Sequence, residues 1–399
     1  MKFLGLFSRI TTAGRVFIPQ IDGLRFIAIL SVVAYHVRSI CSYHFRASPS
    51  GRAIEGDLVN NAFSVGDDGV KLFFAISGFI LSLPFARQFL SGGKKVPLRE
   101  YYIRRVTRIE PPYVIHLAFL FLLCAFVLRF QPAQALYDNH AWAGFAAQHI
   151  LASLVYLNGF IFGTHPYPNI VLWTLEVEVQ FYLLAPFLSR VFTIRDPWKR
   201  RAILAGLILL LPVAVQSLIG AGGNSYRLGF SLAGCLQFFL VGFLLADLFL
   251  AGWLTPATRT SKWDGLFLLM PVVIVWCRHS PWLPFILPSL IFISCVAAFR
   301  GMAAFRFLGN PWITTIGGMC YTIYMYHWLM ISALVRLTGR LQTHILWLDL
   351  LIQFVVMSVI IISVCALLFA LFERPFMRRN WPSVLRYKLF PAKKTAATD

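Results

Sequence analysis

Apolar runs recur along the whole chain, separated by short stretches rich in arginine and lysine. A helical membrane span needs about 20 predominantly apolar residues. On that basis the pattern predicts ten spans, at 22–38, 69–89, 111–130, 172–193, 203–219, 230–250, 264–278, 284–300, 312–335 and 348–372. The expected fold is therefore an all-α, polytopic transmembrane bundle. It would occupy residues 21–378, between a basic N-terminus (1–20) and a basic tail (379–399).

Charge sets the expected orientation. With the N-terminus in the cytoplasm, Lys94, Lys95, Arg99, Arg104, Arg105 and Arg108 fall in one cytoplasmic loop, and Arg195, Lys199, Arg200 and Arg201 in the next. Arg259, Lys262 and Arg306 follow, and the tail holds Arg374, Arg378, Arg379, Arg386, Lys388, Lys393 and Lys394. The predicted outer loops hold few basic residues, chiefly Arg38, Arg46, Arg52, Arg227 and Arg340. This is the positive-inside asymmetry, with both termini cytoplasmic. The stretch 141–162 is apolar enough to span, but counting it would place every later basic cluster outside. It is read as an interfacial or re-entrant helix on the outer side. Trp142, His149, Tyr156, His165 and Tyr167 in and after it suit either a membrane interface or sugar stacking.

Composition agrees. Hydrophobic residues make up 58% of the 399 and charged residues only 13%, far too few for a soluble surface. Mean hydropathy is +0.71. The formal charge of +20 lies between apolar runs, so it reads as loop charge and not as a nucleic-acid surface. The seven cysteines are scattered, with no CxxC pair, and indicate neither a disulfide framework nor a metal site. Lys2, Arg9 and Arg15 before the first apolar run resemble a signal peptide, but no A-x-A site follows, so an uncleaved first span is expected.

Ionisable residues inside a span are expensive and draw attention to function. Arg25 and His36 lie eleven residues apart in the first span, so they share one helix face about 16 Å apart. Asp22 can pair locally with Arg25. Asp67 and Asp68 open the second span near the level of His36, and either could orient that imidazole or simply be solvated. Arg104 and Arg108 form an i,i+4 pair that suits a polyphosphate, or plain charge anchoring. In the fourth span Glu176 and Glu178 point to different sides, so only one need line a site. Glu178 shares a face with Tyr182. His327 is a second intramembrane imidazole, and Glu373 could neutralise neighbouring arginines.

Six segments together resemble the acyltransferase 3 family of integral-membrane O-acyltransferases that modify bacterial surface sugars. They are Arg25 with His36, Gly69 to Gly78, Arg104 to Tyr113, Trp173 to Tyr182, Tyr321 to His327 and Glu373 to Pro375, in the family's order over residues 18–378. Two departures stand out. Lys71 occupies a position where many relatives carry Asp, and Glu110-Pro111-Pro112 varies the arginine-rich segment. Some relatives append a periplasmic esterase-like domain. Its absence from this sequence implies a stand-alone form or a separate periplasmic partner.

The resemblance implies an acyl-CoA donor, most often acetyl-CoA, reached from the cytoplasm of a bacterium across its inner membrane. The implied acceptor is a carbohydrate hydroxyl on a lipid-linked or exported glycan. Arg104, Arg105, Arg108 and the deeper Arg25 would hold the phosphates of coenzyme A, and the pantetheine arm would run towards His36. A neutral imidazole is the usual general base for a hydroxyl. His36 takes that role, with Glu178 or an outer Asp orienting it, or becomes acylated itself. Trp173, Tyr182, His327 and Asp68 are candidates for acceptor binding, and no metal is needed. The competing readings are a transporter or flippase, with Arg, Glu and His as a proton relay, and an acyltransferase for a small-molecule or lipid acceptor.

Overall fold

A computed structural model describes residues 4–10, 17–44, 58–129, 136–341, 343, 345–377 and 381. Lys2, Arg15, Arg46, Arg52 and all of the expected basic tail except Trp381 lie outside the described residues. Those described are helical, with no strand among them. The long elements are α1 (Pro19–His44), α2 (Asp68–Leu90), α3 (Leu98–Arg129), α4 (Leu136–Leu154), α5 (Trp173–Leu188) and α6 (Pro197–Gly220). They continue as α7 (Leu232–Leu250), α8 (Lys262–Trp276), α9 (Leu283–Arg300), α10 (Pro311–Gly318), α11 (Cys320–Thr338) and α12 (Leu346–Leu368).

Among the described residues, eight helical segments are long and apolar enough to cross a membrane, so the chain is a multi-pass membrane protein. Each coincides with one of the ten expected spans. The other two expected spans are helical but fall outside this set. Helix α8 has only 15 residues, short of the ~20 that a bilayer core requires. The 312–335 stretch divides into α10 and α11, which meet at Gly318–Met319. The stretch 141–162 is also outside the set. It divides into the end of α4 and a short helix, Asn158–Phe162.

Helix α2 lies at the centre, because glycines let neighbouring backbones approach it. A Cβ on Gly78 would collide with the Phe239 carbonyl of α7, and one on Gly242 with Ala75 and Phe79 of α2. Small residues at such crossings are how membrane helices pack, since lipid supplies no hydrophobic drive between them. Phe239 then stacks between Phe74 and Phe181, at ring distances of 4.8 and 3.8 Å, and joins α5 to the pair. Helix α1 is held in the same way: Gly66 and Gly69 meet its backbone at Ser31 and Ala28, and Gly317 of α10 meets it at Asp22. Gly242→Val should therefore lower stability by about 3 kcal/mol through overpacking. The measurement is the midpoint of thermal unfolding in detergent, and an unshifted midpoint would contradict the close crossing.

Helix α3 runs through Pro111 and Pro112. Proline has no N–H, so Pro111 leaves the Thr107 carbonyl without its helical donor. The Trp381 indole N–H donates to that oxygen at 3.0 Å, and the Tyr321 hydroxyl to the neighbouring Ile109 carbonyl at 3.1 Å. The helix thus continues past its prolines, with Arg108 about one turn and Arg105 nearly two turns before them.

Candidate active site

One end of the site is a cluster of guanidiniums. Asp22, almost fully buried, accepts from Arg25 at 2.6 Å, as the i,i+3 spacing predicts, and from Arg9 at 2.8 Å. Arg9 comes from the segment preceding α1. Its stem crosses Gly318, where an added Cβ would lie 3.0 Å from Arg9 Cγ. The segment is tethered by Arg374, whose Nη2 donates to the Gly5 carbonyl at 3.0 Å. Removing Asp22 would leave two partly buried cations unpaired, a loss of about 3–5 kcal/mol.

From α3, Arg105 and Arg108 point into the same space. The Arg105 guanidinium lies 5.6 Å from both the Tyr101 and Tyr182 rings, and its Nε is buried without a hydrogen-bond partner. Among the described residues, the ion pairs within 4.0 Å involve neither Arg105 nor Arg108. Glu373 lines the same space, but its carboxylate accepts from the Thr322 amide at 3.2 Å and hydroxyl at 2.5 Å. It does not neutralise the arginines by direct contact. Partly desolvated cations without a carboxylate partner favour an anionic ligand.

These arginines open onto a cavity of about 110 Å³. On α2 its lining runs from Leu81 to Val70, positions eleven apart, so the cavity is elongated by about 16 Å along that helix. Glu178 stands on the wall midway. Its carboxylate accepts from the Ser77 hydroxyl at 2.7 Å and from the Tyr182 hydroxyl one turn away. Glu176 faces the other way, as the two-residue spacing requires. It accepts from the Gly159 amide at 3.0 Å and the Ser153 hydroxyl at 3.5 Å. At the far end Val70, Thr174 and Tyr324 close the space.

Beyond Tyr324 lies a pair of imidazoles. The His36 and His327 ring centroids are 5.1 Å apart, and Trp328 packs edge-on to His36 at 4.9 Å. Neither histidine lines the cavity, but the Tyr324 ring, which does, is 5.5 Å from His327. His327 Nδ1 lies 2.7 Å from the Tyr324 carbonyl and 3.1 Å from that of Ile323.

The structure brings Arg25, Arg105, Arg108, Glu178 and Tyr182 to one cavity and sets His36 beside His327. It does not bring the other candidates there. Arg104 is 44% exposed at its side chain and leans on Glu100. The face of α3 turned to the cavity carries 105, 108 and 109, so the inward pair is i,i+3 and not the expected i,i+4. Asp68 pairs with Lys71 at 2.8 Å, and Asp67 with Lys71 and Arg278, both at 3.2 Å. No described hydrogen bond joins His36 to Asp67, Asp68 or Glu178. Trp173 lies one layer out, against Phe74, His165 and Phe230. In the loop before α5, burial lowers the His165 pKa below its ordinary value, which keeps that ring uncharged at neutral pH. Sequence reasoning missed Arg9, Ser77 and Tyr324 as lining residues. Arg9 looked like any basic residue before a first span, and Ser77 carries no charge to single it out within its apolar run. Among the described residues, no group of three or more His, Cys, Asp or Glu is placed to hold a metal ion.

Comparison with known proteins follows the same lines. The chain is 23% identical over 359 residues to "Putative O-acetyltransferase SACOL0978" of Staphylococcus aureus strain COL, covering 84% of this chain and 54% of that protein. It is 24% identical over 343 residues to O-acetyltransferase OatA of S. aureus strain NCTC 8325 / PS 47, covering 79% and 51%. The chain thus spans about half the length of the curated relatives it matches. No solved structure shows significant similarity. The model of the acyltransferase domain family Acyl_transf_3 matches residues 18–370, which contain α1 to α12 and every cavity residue except Arg9 and Glu373, and this chain belongs to that family.

Proposed function

We propose that this protein is a membrane-embedded O-acetyltransferase of a bacterial inner membrane. It moves an acetyl group from acetyl-CoA, bound from the cytoplasm, to a sugar hydroxyl of a lipid-linked or exported glycan. One observation carries the reading: partly buried arginines without carboxylate partners open an elongated cavity that leads towards two imidazoles. The phosphates of the donor pair with Arg105, Arg108, Arg25 and Arg9. The pantetheine arm lies along the cavity, which follows about 16 Å of α2 and ends at Tyr324, short of the histidines. The thioester reaches the histidine end once Tyr324 yields. There His36 takes the proton of the acceptor hydroxyl as oxygen attacks the carbonyl carbon, and returns it to the departing thiolate. Glu178, held by Ser77 and Tyr182, polarises the middle of the path. Trp173 and Asp68 lie further out, where a glycan approaches.

The test is thiol release. Purified protein in liposomes is supplied with acetyl-CoA and lipid-linked glycan extracted from the host membrane. Acceptor-dependent release of free coenzyme A with acetylated glycan supports the reading. Uptake of substrate without thiol release would establish a transporter. Thiol release with the acetyl group on a lipid or a small molecule would keep the enzyme and change its acceptor.

A further inference from the structure

We infer that His327 positions His36, its Nε2 lone pair accepting the His36 Nδ1–H so that the His36 Nε2 lone pair faces the acceptor hydroxyl. This rests on the proposed role of His36 as proton acceptor and supplies the orienting group which that role lacks.

The tautomer of His327 follows from its partners. Nδ1 faces two backbone carbonyls, Tyr324 at 2.7 Å and Ile323 at 3.1 Å. A carbonyl only accepts, so Nδ1 carries the hydrogen, and in the neutral ring the lone pair sits on Nε2. His327 is fully buried, and that Nε2 has no partner among the described residues. The adjoining ring has the complementary gap: His36 Nδ1 is also buried and also without a partner. Unmatched buried polar atoms are uncommon and costly. Here a fixed acceptor lies in the ring next to an unassigned nitrogen, with centroids 5.1 Å apart and planes tilted by 45°. Catalytic hydrogen bonds are often long in a free enzyme and tighten once substrate is bound.

The carboxylates expected to do this work are engaged elsewhere, Glu178 with Ser77 and Tyr182, and Asp68 with Lys71. Tyr35 and Trp328 pack edge-on to His36 at 5.0 and 4.9 Å and limit rotation of its ring. A neutral acceptor at Nδ1 then fixes the tautomer without adding a charge. Each turnover balances. The hydroxyl oxygen forms the C–O bond and its proton moves to His36 Nε2. The C–S bond breaks with its electron pair on sulfur, and sulfur takes the proton from Nε2. His36 returns to the neutral form, with its Nδ1–H still donated to His327.

The experiment compares His327→Phe, His327→Gln and His327→Asn in the full chain, with radiolabelled acetyl-CoA and the host's extracted lipid-linked glycan. Phenylalanine keeps a ring but no acceptor. The glutamine carboxamide oxygen reaches the Nε2 position, whereas asparagine reaches only that of Nδ1. We expect His327→Phe and His327→Asn to lower kcat by about 100-fold, with KM for acetyl-CoA unchanged, and His327→Gln to recover most of that loss. Wild-type kcat in the Phe or Asn variant, or equal losses in all three, would overturn the inference. If His327→Phe does not fold, the Asn and Gln pair decides alone. Activity retained in His36→Ala would instead sink the underlying role of His36, so the two failures are distinguishable.

Discussion

Replacing His36 with alanine is expected to reduce acetyl transfer by about a thousandfold, the contribution of a well-placed general base, while the protein still inserts and elutes as a single species. The first half follows from chemistry: a sugar hydroxyl does not lose its proton at neutral pH without a base. The second half follows from packing. His36 forms no hydrogen bond among the described residues, and its neighbours His327, Trp328 and Tyr35 touch it as rings. Alanine there leaves a cavity but breaks no hydrogen bond formed in the free protein among the described residues, so the stability loss should be the modest one of a lost ring. The measurement is label transferred from radiolabelled acetyl-CoA, read beside the elution profile. Wild-type transfer in the variant would remove His36 from the mechanism. A rapid quench before acceptor is added separates two routes through the same residue. Label on the wild-type protein that is lost in His36→Ala indicates an acylated histidine, and unlabelled protein indicates direct attack.

The second large effect concerns the donor. Arg105→Ala combined with Arg108→Ala should weaken acetyl-CoA binding by roughly 100-fold, or about 3 kcal/mol for two charge-assisted hydrogen bonds to its phosphates. Arg105 offers a buried Nε with no protein partner, and neither side chain is held by a carboxylate within 4.0 Å among the described residues. Their truncation therefore weakens the grip on the ligand without unbalancing a salt bridge. Arg104→Ala is the internal control. It is exposed and leans on Glu100 at 4.0 Å, so donor affinity should not change. Arg9→Ala should fall between, because Asp22 retains Arg25. Binding can be read from the KM for acetyl-CoA or by calorimetry. Unchanged affinity in the double variant, with altered insertion, would reduce the cluster to an orientation signal.

How much of the molecule its sequence made legible depended on which geometry was local. Helical rise alone sets Arg25 and His36 on one face, and α1 is one unbroken helix from Pro19 to His44. Asp22 with Arg25, and Glu178 with Tyr182, are neighbours one turn apart, and both pairs form. Run length and hydropathy marked the eight helices that are long and apolar enough to cross a membrane among the described residues; they did not show that α8 has only 15 residues or that the 312–335 stretch divides at Gly318–Met319, because apolarity does not report where a helix breaks.

Rotation of each helix about its axis was not local. In a water-soluble bundle the apolar stripe marks the inward face, but here lipid and core are both apolar, so the pattern carries little of that information. Arg105 rather than Arg104 faces the cavity because tertiary packing turned α3 that way. Ser77 meets Glu178 from 101 positions away, and Glu373 meets Thr322 from 51. Residue types and intrahelical spacing thus determined the helical membrane bundle, the alignment of Arg25 and His36 along α1 and the family. Glycine-mediated contacts between helices decided which side chains share a cavity, brought Arg9 into it, and set His327 beside His36. Backbone periodicity orders residues along one helix, and only contact between helices orders them across the bundle.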